Sequence, residues 1–228
     1  GHVRPEHAEQ ALDTAADGPV DEGSVGGGTG MNCYDFKGGN GTSSRLVRYG
    51  PHTFTVAAFV QANFGDRHEL TVAGHHVGPG LAADNPLSDD WFERDLAGAP
   101  PGAGSVIAVI ATDAPLLPGQ CKALARRVPL GLARTGTTGS HFSGDIFLAF
   151  STAPAPDLSG SFPIGPVGDD EFGRLTFIPW GRMDDFFTAV VHSVEEAVLN
   201  ALVVNADMVG RDGHRSPALP HERLLALL

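Results

Sequence analysis

Apolar and polar positions alternate in a way that divides the chain into short strands, helical stripes and small-residue loops. Thr53 to Phe64 reads Thr-Phe-Thr-Val-Ala-Ala-Phe-Val-Gln-Ala-Asn-Phe. β-branched and aromatic residues dominate it, and both alternating sets are largely apolar, which predicts a strand covered on both faces. Its end carries Gln61 and Asn63. There Asn63 either delivers a functional side chain or starts a turn with Gly65 and Asp66. The unbroken apolar run Val106 to Ala111 predicts a second buried strand. Further strands are expected at Glu69 to Val77, Ile146 to Phe150 and Leu175 to Ile178. A turn at Asn40-Gly41 is expected to join a strand around Tyr34 to Phe36 with one around Ser44 to Arg48.

The helical period shows in four places. Pro5 to Ala16 has Pro in its first turn and Gly18-Pro19 as a stop. Leu117, Cys121, Leu124, Val128 and Leu132 recur at spacings of three and four, giving a helix from Pro118 to Arg134 that Pro129 should kink or break. Asp184 to Asn205 is the strongest pattern, with Phe187, Val190, Val191, Val194, Val198, Ala201 and Leu202 on one stripe. Asp184 or Asp185 would cap it, and Glu195 and Glu196 fall off the stripe toward solvent. A short tail helix is expected from Leu219 to Leu228. Two-faced strands with one-sided helices predict a layered α/β sandwich around a mixed or antiparallel sheet.

The loops hold the candidate chemistry. Glu22 to Gly30 is rich in glycine, but no Gly-Lys-Ser/Thr follows and no strand-to-helix fingerprint surrounds it. Close backbone packing beside a site fits it better than phosphate binding. His75-His76 would lie on opposite faces of a strand, and no third ligand has a recognisable spacing, so a metal site is rejected. Asn85 to Gly104 carries Asp89, Asp90, Glu93 and Asp95 and then a Pro/Gly-rich run, the composition of an exposed linker. Ser105 sits where that linker becomes a strand. It is a plain strand-start residue, or a nucleophile exposed by cutting the Gly104–Ser105 bond. Ser143 and Asp145, two residues apart at a strand mouth, point the same way. They form a polar site or an ordinary turn.

Composition narrows the function classes. A chain of 228 residues suits one large domain or two small ones. With 42% apolar and 18% charged residues the composition is globular. A net charge of −12 disfavours nucleic acid, whose phosphates need Lys and Arg, and anionic membrane surfaces. It tolerates a cationic small substrate such as a free amine. Two cysteines, Cys33 and Cys121, make no disulfide framework and suggest a reducing, cytoplasmic setting. No uninterrupted apolar run approaches a membrane span, and the polar N-terminus shows no signal peptide.

Several stretches together resemble the DmpA family, the L-aminopeptidase/D-esterases and β-peptidyl aminopeptidases of peptidase family S58. They are Glu22-Gly-x-Val-Gly-x-Gly-Thr-Gly-Met31, Phe36-Lys-Gly-Gly-x-Gly-Thr-Ser-Ser-Arg45, Val60-Gln-Ala-Asn-Phe-Gly65 and Gly104-Ser105 with Ala111-Thr-Asp-Ala-Pro-Leu-Leu-Pro118. Gly131-Leu-Ala-Arg-Thr-Gly136, Ser143-Gly-Asp-Ile-Phe-Leu-Ala-Phe-Ser151 and Asn205-Ala-Asp-Met-Val-Gly-Arg-Asp-Gly-His214 complete the set, in family order and over nearly the whole chain.

The resemblance implies a four-layer α/β/β/α sandwich of the DmpA and ornithine acetyltransferase type. It implies one domain made of two segments, 1–104 and 105–228, separated by self-cleavage at Gly104–Ser105, with Ser105 as the new N-terminal nucleophile. Asn63 matches an oxyanion-hole asparagine, Ser143 a serine near the nucleophile and Asp145 an acidic position that serves the α-amine. The implied activity is a serine aminopeptidase acting on short peptides, amides or esters with a free amino terminus, without cofactor or metal, in a homotetramer. An oligoamide hydrolase, an acyltransferase of the same fold and an inactive assembly protein are the alternatives. The family also has an N-terminal part ahead of the region matching His2-Val3, which contributes a tyrosine and an acid to the site. Nothing here corresponds to it, so the chain is expected to be a fragment or to differ in substrate recognition.

Overall fold

The first regular element, α1 (Pro5–Asp13), buries no residue. A 3₁₀ turn at Gly26–Gly30 leads into the hairpin of β1 (Asn32–Cys33) and β2 (Phe36–Lys37). Its two turn residues, Tyr34 and Asp35, have φ of 51° and 57°, as a tight hairpin turn whose twist matches its strands requires. The computed structural model describes residues 3–85, 104–158, 162, 165–169 and 171–228. The expected linker at 86–103 lies outside the described residues.

The expected turn at Asn40-Gly41 is not made. Both residues lie within β3 (Gly39–Tyr49), which pairs antiparallel with β4 (His52–Asn63) from Tyr49–His52 to Gly39–Ala62. Gly50, at φ 58°, turns that hairpin. Packing overrides the local turn signal: a Cβ on Gly41 would lie 1.9 Å from the Ala197 carbonyl oxygen of the long helix above. The strand expected at Glu69 to Val77 is instead a small hairpin of β5 (Thr71–Val72) and β6 (His75–His76).

The main sheet has the order β3-β4-β7-β8. β7 (Ser105–Thr112) runs antiparallel to β4, and β8 (Ile146–Ser151) runs parallel to β7. One face is closed by helices. Val56, Ala58, Val60 and Ala62 of β4 and Val106, Ala108 and Ile110 of β7 are buried there. They meet Phe186, Val190, Val194, Val198 and Leu202 of a helix spanning Asp184–Val203. Burying each large apolar side chain is worth roughly 1.5–3 kcal/mol.

The opposite face is not covered by the described residues. Ile107, Ile146, Leu148 and Phe150 stand there, and Leu46 is 73% exposed. Among the described residues, the strands expected to be covered on both faces are covered on one. Of the four layers of the sandwich, the described residues form one helical layer and one sheet.

The remaining helices follow the predicted pattern with local shifts. The stretch from Pro118 to Arg134 breaks at Arg126-Arg127 into α2 (Pro118–Ala125) and α3 (Val128–Arg134). Pro129 falls in the first turn of α3, where its missing N–H would have no helical partner anyway. In the long helix, α4 (Asp184–Val203), Phe186 is buried in place of Phe187, which is half-buried under the Arg127 guanidinium, 4.1 Å from its ring centre. Met183 occupies the N-cap, and Asp184 and Asp185 lie in the first turn, facing the positive end of the helix dipole. Glu195 and Glu196 are half-buried and pair with Arg134 and Arg45. The expected strand at Leu175 to Ile178 does not form. Ile178 enters the core there, its carbonyl receiving the Gln120 side-chain N–H. After α4 come the hairpin of β9 (Met208–Val209) and β10 (Arg215–Ser216) and the tail helix α5 (His221–Leu225). α4 is long and apolar enough to reach the mean hydropathy of a membrane span, 1.4. Its apolar face is taken up by the sheet.

Candidate active site

Strand pairing brings the first two candidates together. Asn63 ends β4 and Ser105 begins β7, and the two are direct partners in the antiparallel register. Partners across a ladder point to the same face, so both project on the side of Ile107 and Phe59. The backbone is tight at this point. A Cβ on Gly104 would lie 2.0 Å from the Asn63 carbonyl oxygen, which only glycine permits.

The Ser105 hydroxyl donates to the Gly104 carbonyl oxygen at 2.8 Å and accepts the Gly144 N–H at 2.8 Å. Its oxygen is thereby held against the peptide group that precedes it. Asn63 is oriented by its neighbour on β1: the Asn32 N–H donates to Asn63 Oδ1 at 3.0 Å. An amide whose oxygen is engaged in this way presents its Nδ2 as the donor end.

Ser143 and Asp145 also meet. The Ser143 hydroxyl donates to Asp145 Oδ1, and the same oxygen accepts the Val106 N–H at 2.9 Å. The carboxylate is thus tied to the residue that follows Ser105. All four candidates collect at the ends of β4 and β7 and the entrance to β8. Gly144 and Asn32, neither of which stands out as a candidate in the sequence, both act here through backbone N–H groups. A glycine between Ser143 and Asp145 was the available signal for the first. Nothing in residue type marks the second.

A cavity of about 310 Å³ lies beside this cluster, with Phe64, Val106, Leu132 and Phe147 as apolar walls and Ser143 and Asp145 at its polar side. Gly104 lines it; Ser105 does not. Tyr34 supports the far wall. Its hydroxyl bonds Thr135 Oγ1 at 2.7 Å and accepts the Thr137 N–H at 3.1 Å, and burial pushes its pKa up. Cys33 next to it is also pushed up by burial, so it is a neutral core thiol rather than a nucleophile.

The glycine-rich loop packs against the sheet, as expected of close backbone approach. A Cβ on Gly28 or Gly39 would lie 2.3 Å or 2.1 Å from the Gly23 carbonyl oxygen, and one on Gly27 would strike the Gln61 side chain. The loop carbonyls of Gly28 and Met31 accept from the buried Lys37 ammonium. His75 and His76 are exposed on β6. Among the described residues no group of His, Cys, Asp and Glu side chains is arranged to hold a metal.

Known proteins are similar to this chain in sequence and in fold. The chain is 45% identical over 230 residues to beta-peptidyl aminopeptidase BapA of Sphingosinicella microcystinivorans, all of it aligning with 56% of that protein. The protein of the same name from Sphingosinicella xenopeptidilytica is 40% identical over the same extent. Among solved structures, the L-aminopeptidase D-Ala-esterase/amidase of Ochrobactrum anthropi superposes with a TM-score of 0.80 at 44% identity, covering 96% of this chain and 55% of that one. It is described as a prototype of the serine aminopeptidases and a variant of the Ntn-hydrolase fold. A Burkholderia beta-aminopeptidase gives 0.76 at 41% identity, covering all of this chain and 59% of its own. The chain thus spans a little over half the length of the relatives it matches and shares their α/β fold. Residues 1–216 match the description of Peptidase family S58, and the chain belongs to that family.

Proposed function

We propose that this chain carries the reaction centre of a self-processing serine aminopeptidase, with Ser105 as nucleophile. The observation that carries the reading is the Gly104–Ser105 junction. There a serine hydroxyl is held against the preceding carbonyl, opposite Asn63 and beside the Asp145 carboxylate. In processing, Ser105 Oγ attacks the Gly104 carbonyl carbon, an ester bond forms, and the C–N bond breaks as a proton moves to the nitrogen. Water then hydrolyses the ester, leaving a carboxylate on Gly104 and a free α-amine and hydroxyl on Ser105. That amine has a reference pKa of about 7.7–8.0 and acts as general base for its own hydroxyl near neutral pH.

Asp145, tied to the Val106 N–H, holds the new terminus and stabilises its protonated form during acyl transfer. Asn63 Nδ2 donates to the oxyanion that develops on the substrate carbonyl. Substrates of this reading are short peptides, amides or esters with a free amino terminus. The names of the relatives support that class. The two segments stay together after scission, because β7 is an interior strand paired along its length with β4 and with β8. By family resemblance the processed protomers form a homotetramer.

Denaturing mass spectrometry of the purified protein tests processing. Two fragments meeting at 104/105 are expected, and one intact chain in Ser105→Ala. A wild-type chain that stays whole under all conditions sinks the reading.

A further inference from the structure

Lys37 is a buried charge that the reaction just described does not use. Its side chain is 1% exposed. Its ammonium donates to three backbone carbonyls, those of Gly28 at 3.1 Å, Gly38 at 2.7 Å and Met31. None of these acceptors is a carboxylate. Burying an ammonium is costly unless it is hydrogen-bonded, and here carbonyl dipoles alone compensate it.

One of those carbonyls leads to the candidate site. The Met31 C=O and the Asn32 N–H belong to a single planar peptide group. The carbonyl end receives Lys37 Nζ, and the N–H end donates at 3.0 Å to Asn63 Oδ1. β1–β2 pairing fixes the geometry, since Asn32 and Lys37 are partners in that hairpin. A continuous chain of hydrogen bonds therefore runs from the ammonium through one peptide unit into the Asn63 amide. In such chains each bond polarises the next. A cation at the Met31 oxygen makes the Asn32 N–H a stronger donor. That bond draws electron density onto Asn63 Oδ1 and leaves Nδ2 more positive at the point where an oxyanion would bind.

We propose that Lys37 is a positioning residue of the oxyanion hole, orienting and polarising Asn63 through the Met31–Asn32 peptide. The inference rests on the reading of Asn63 as the oxyanion donor. It differs from a purely structural clamp on the glycine loop, which would stabilise the fold without acting through Asn63.

Two measurements on the whole chain test it. In kinetics, Lys37→Met lowers kcat by about 10- to 100-fold with KM within about twofold, less than the roughly 10²–10³-fold typical of losing an oxyanion donor. In an Asn63→Ala background the same substitution adds less than about twofold, because coupled residues are not additive. Equal losses in both backgrounds overturn the proposal.

The second measurement needs neither turnover nor a folded Lys37 variant. In the uncleaved Ser105→Ala protein, the Asn63 side-chain amide is followed by ¹H–¹⁵N NMR, assigned by its loss in Asn63→Ala. Burial lowers the Lys37 pKa to about 8, so the amide resonance shifts with a midpoint near pH 8. The groups facing the ammonium are Cys33 of β1, whose thiol burial keeps protonated, and a loop, 25–31, without titratable residues. A resonance that stays flat from pH 6 to 10 overturns the proposal. If wild-type protein lacks turnover, the hydrolase reading fails while this titration still decides the Lys37–Asn63 link.

Discussion

Replacing Gly104 with alanine probes the backbone geometry of the candidate cleavage site without touching a functional side chain. The new Cβ would sit 2.0 Å from the Asn63 carbonyl oxygen, 3.0 Å from its carbonyl carbon and 3.2 Å from Phe64 Cα. Ordinary contact begins at 3.4 Å, so the two chain segments must separate by about 1.4 Å. All three obstructing atoms are backbone, and no side-chain rotamer relieves them. Overpacking of this kind costs roughly 1–3 kcal/mol. For a chain of this size each kcal/mol lowers Tm by about 2–4 °C, which gives a fall of about 2–12 °C by calorimetry. The displacement also moves Ser105 away from Asn63, its partner across the ladder. A misplacement of about 1 Å can cost about 10²-fold in rate. The 104/105 fragments should therefore accumulate about 100-fold more slowly than in wild type, measured by mass spectrometry over a refolding time course. Cleavage at the wild-type rate with an unchanged Tm would refute the claim that this close approach sets the geometry of scission.

Asp145→Asn keeps an oxygen for the Val106 N–H but removes the charge. It should lower kcat/KM on an aminoacyl anilide by at least about 10²-fold, with Tm nearly unchanged, and activity within twofold of wild type would remove Asp145 from the reaction. Gly41→Ala places a Cβ 1.9 Å from the Ala197 carbonyl oxygen and 2.8 Å from the Ala201 nitrogen, pushing α4 off the sheet. Unfolding in urea should show a loss of about 1–3 kcal/mol. Stability should also carry the signature of Lys37. Its pKa is lowered from 10.5 to about 8, so between those values the unfolded chain binds more protons than the folded one and stability rises with pH. The gain is about 3 kcal/mol when complete. Cys33 and Tyr34, both raised by burial, act in the opposite direction at alkaline pH. The test is therefore the difference between wild type and Lys37→Met, which should move in favour of wild type from pH 7.5 to 10. A constant difference would contradict the buried charge.

Much of the framework follows from local pattern. Runs of β-branched, aromatic and other apolar residues located β4 and β7 to within a residue or two, because such side chains suit a pleated strand. The composition change at Gly104–Ser105 marked a strand start for the same reason. Asn40-Gly41 misled, since its turn propensity is local while its place in β3 is decided by α4, more than 150 residues later in sequence. In α4 Val190, Val194, Val198, Ala201 and Leu202 are buried as predicted, but the edge of the stripe shifts and Phe186 is inside in place of Phe187, because the sheet, not the sequence, fixes which edge of the stripe is covered. Within the site, the side chains Asn63, Ser143 and Asp145 were visible as residue types. The N–H groups of Asn32 and Gly144 were not, since every residue but proline has one. Lys37 is the sharpest case. Hydropathy places lysine at the surface, and only the three convergent carbonyls allow it inside.

The open face of the sheet joins the question of fold to the question of chemistry. Ser105 and Asn63 lie on the same face of the sheet as Ile107 and Gln61, the face that also bears Ile146, Leu148 and Phe150. The helices lie on the other side. A contiguous apolar face of this kind marks a surface that another layer covers. Any layer that covers those side chains also closes over Ser105, the proposed nucleophile, and Asn63. Closure of that kind would remove water from the site and so strengthen the proposed Asn63 donor and the proposed action of Lys37 upon it. The side chains proposed to do the chemistry are therefore held by the covered face, through β4, β7 and the glycine loop, but they work on the uncovered one. Completing the sandwich and completing the active site are, on this geometry, the same event.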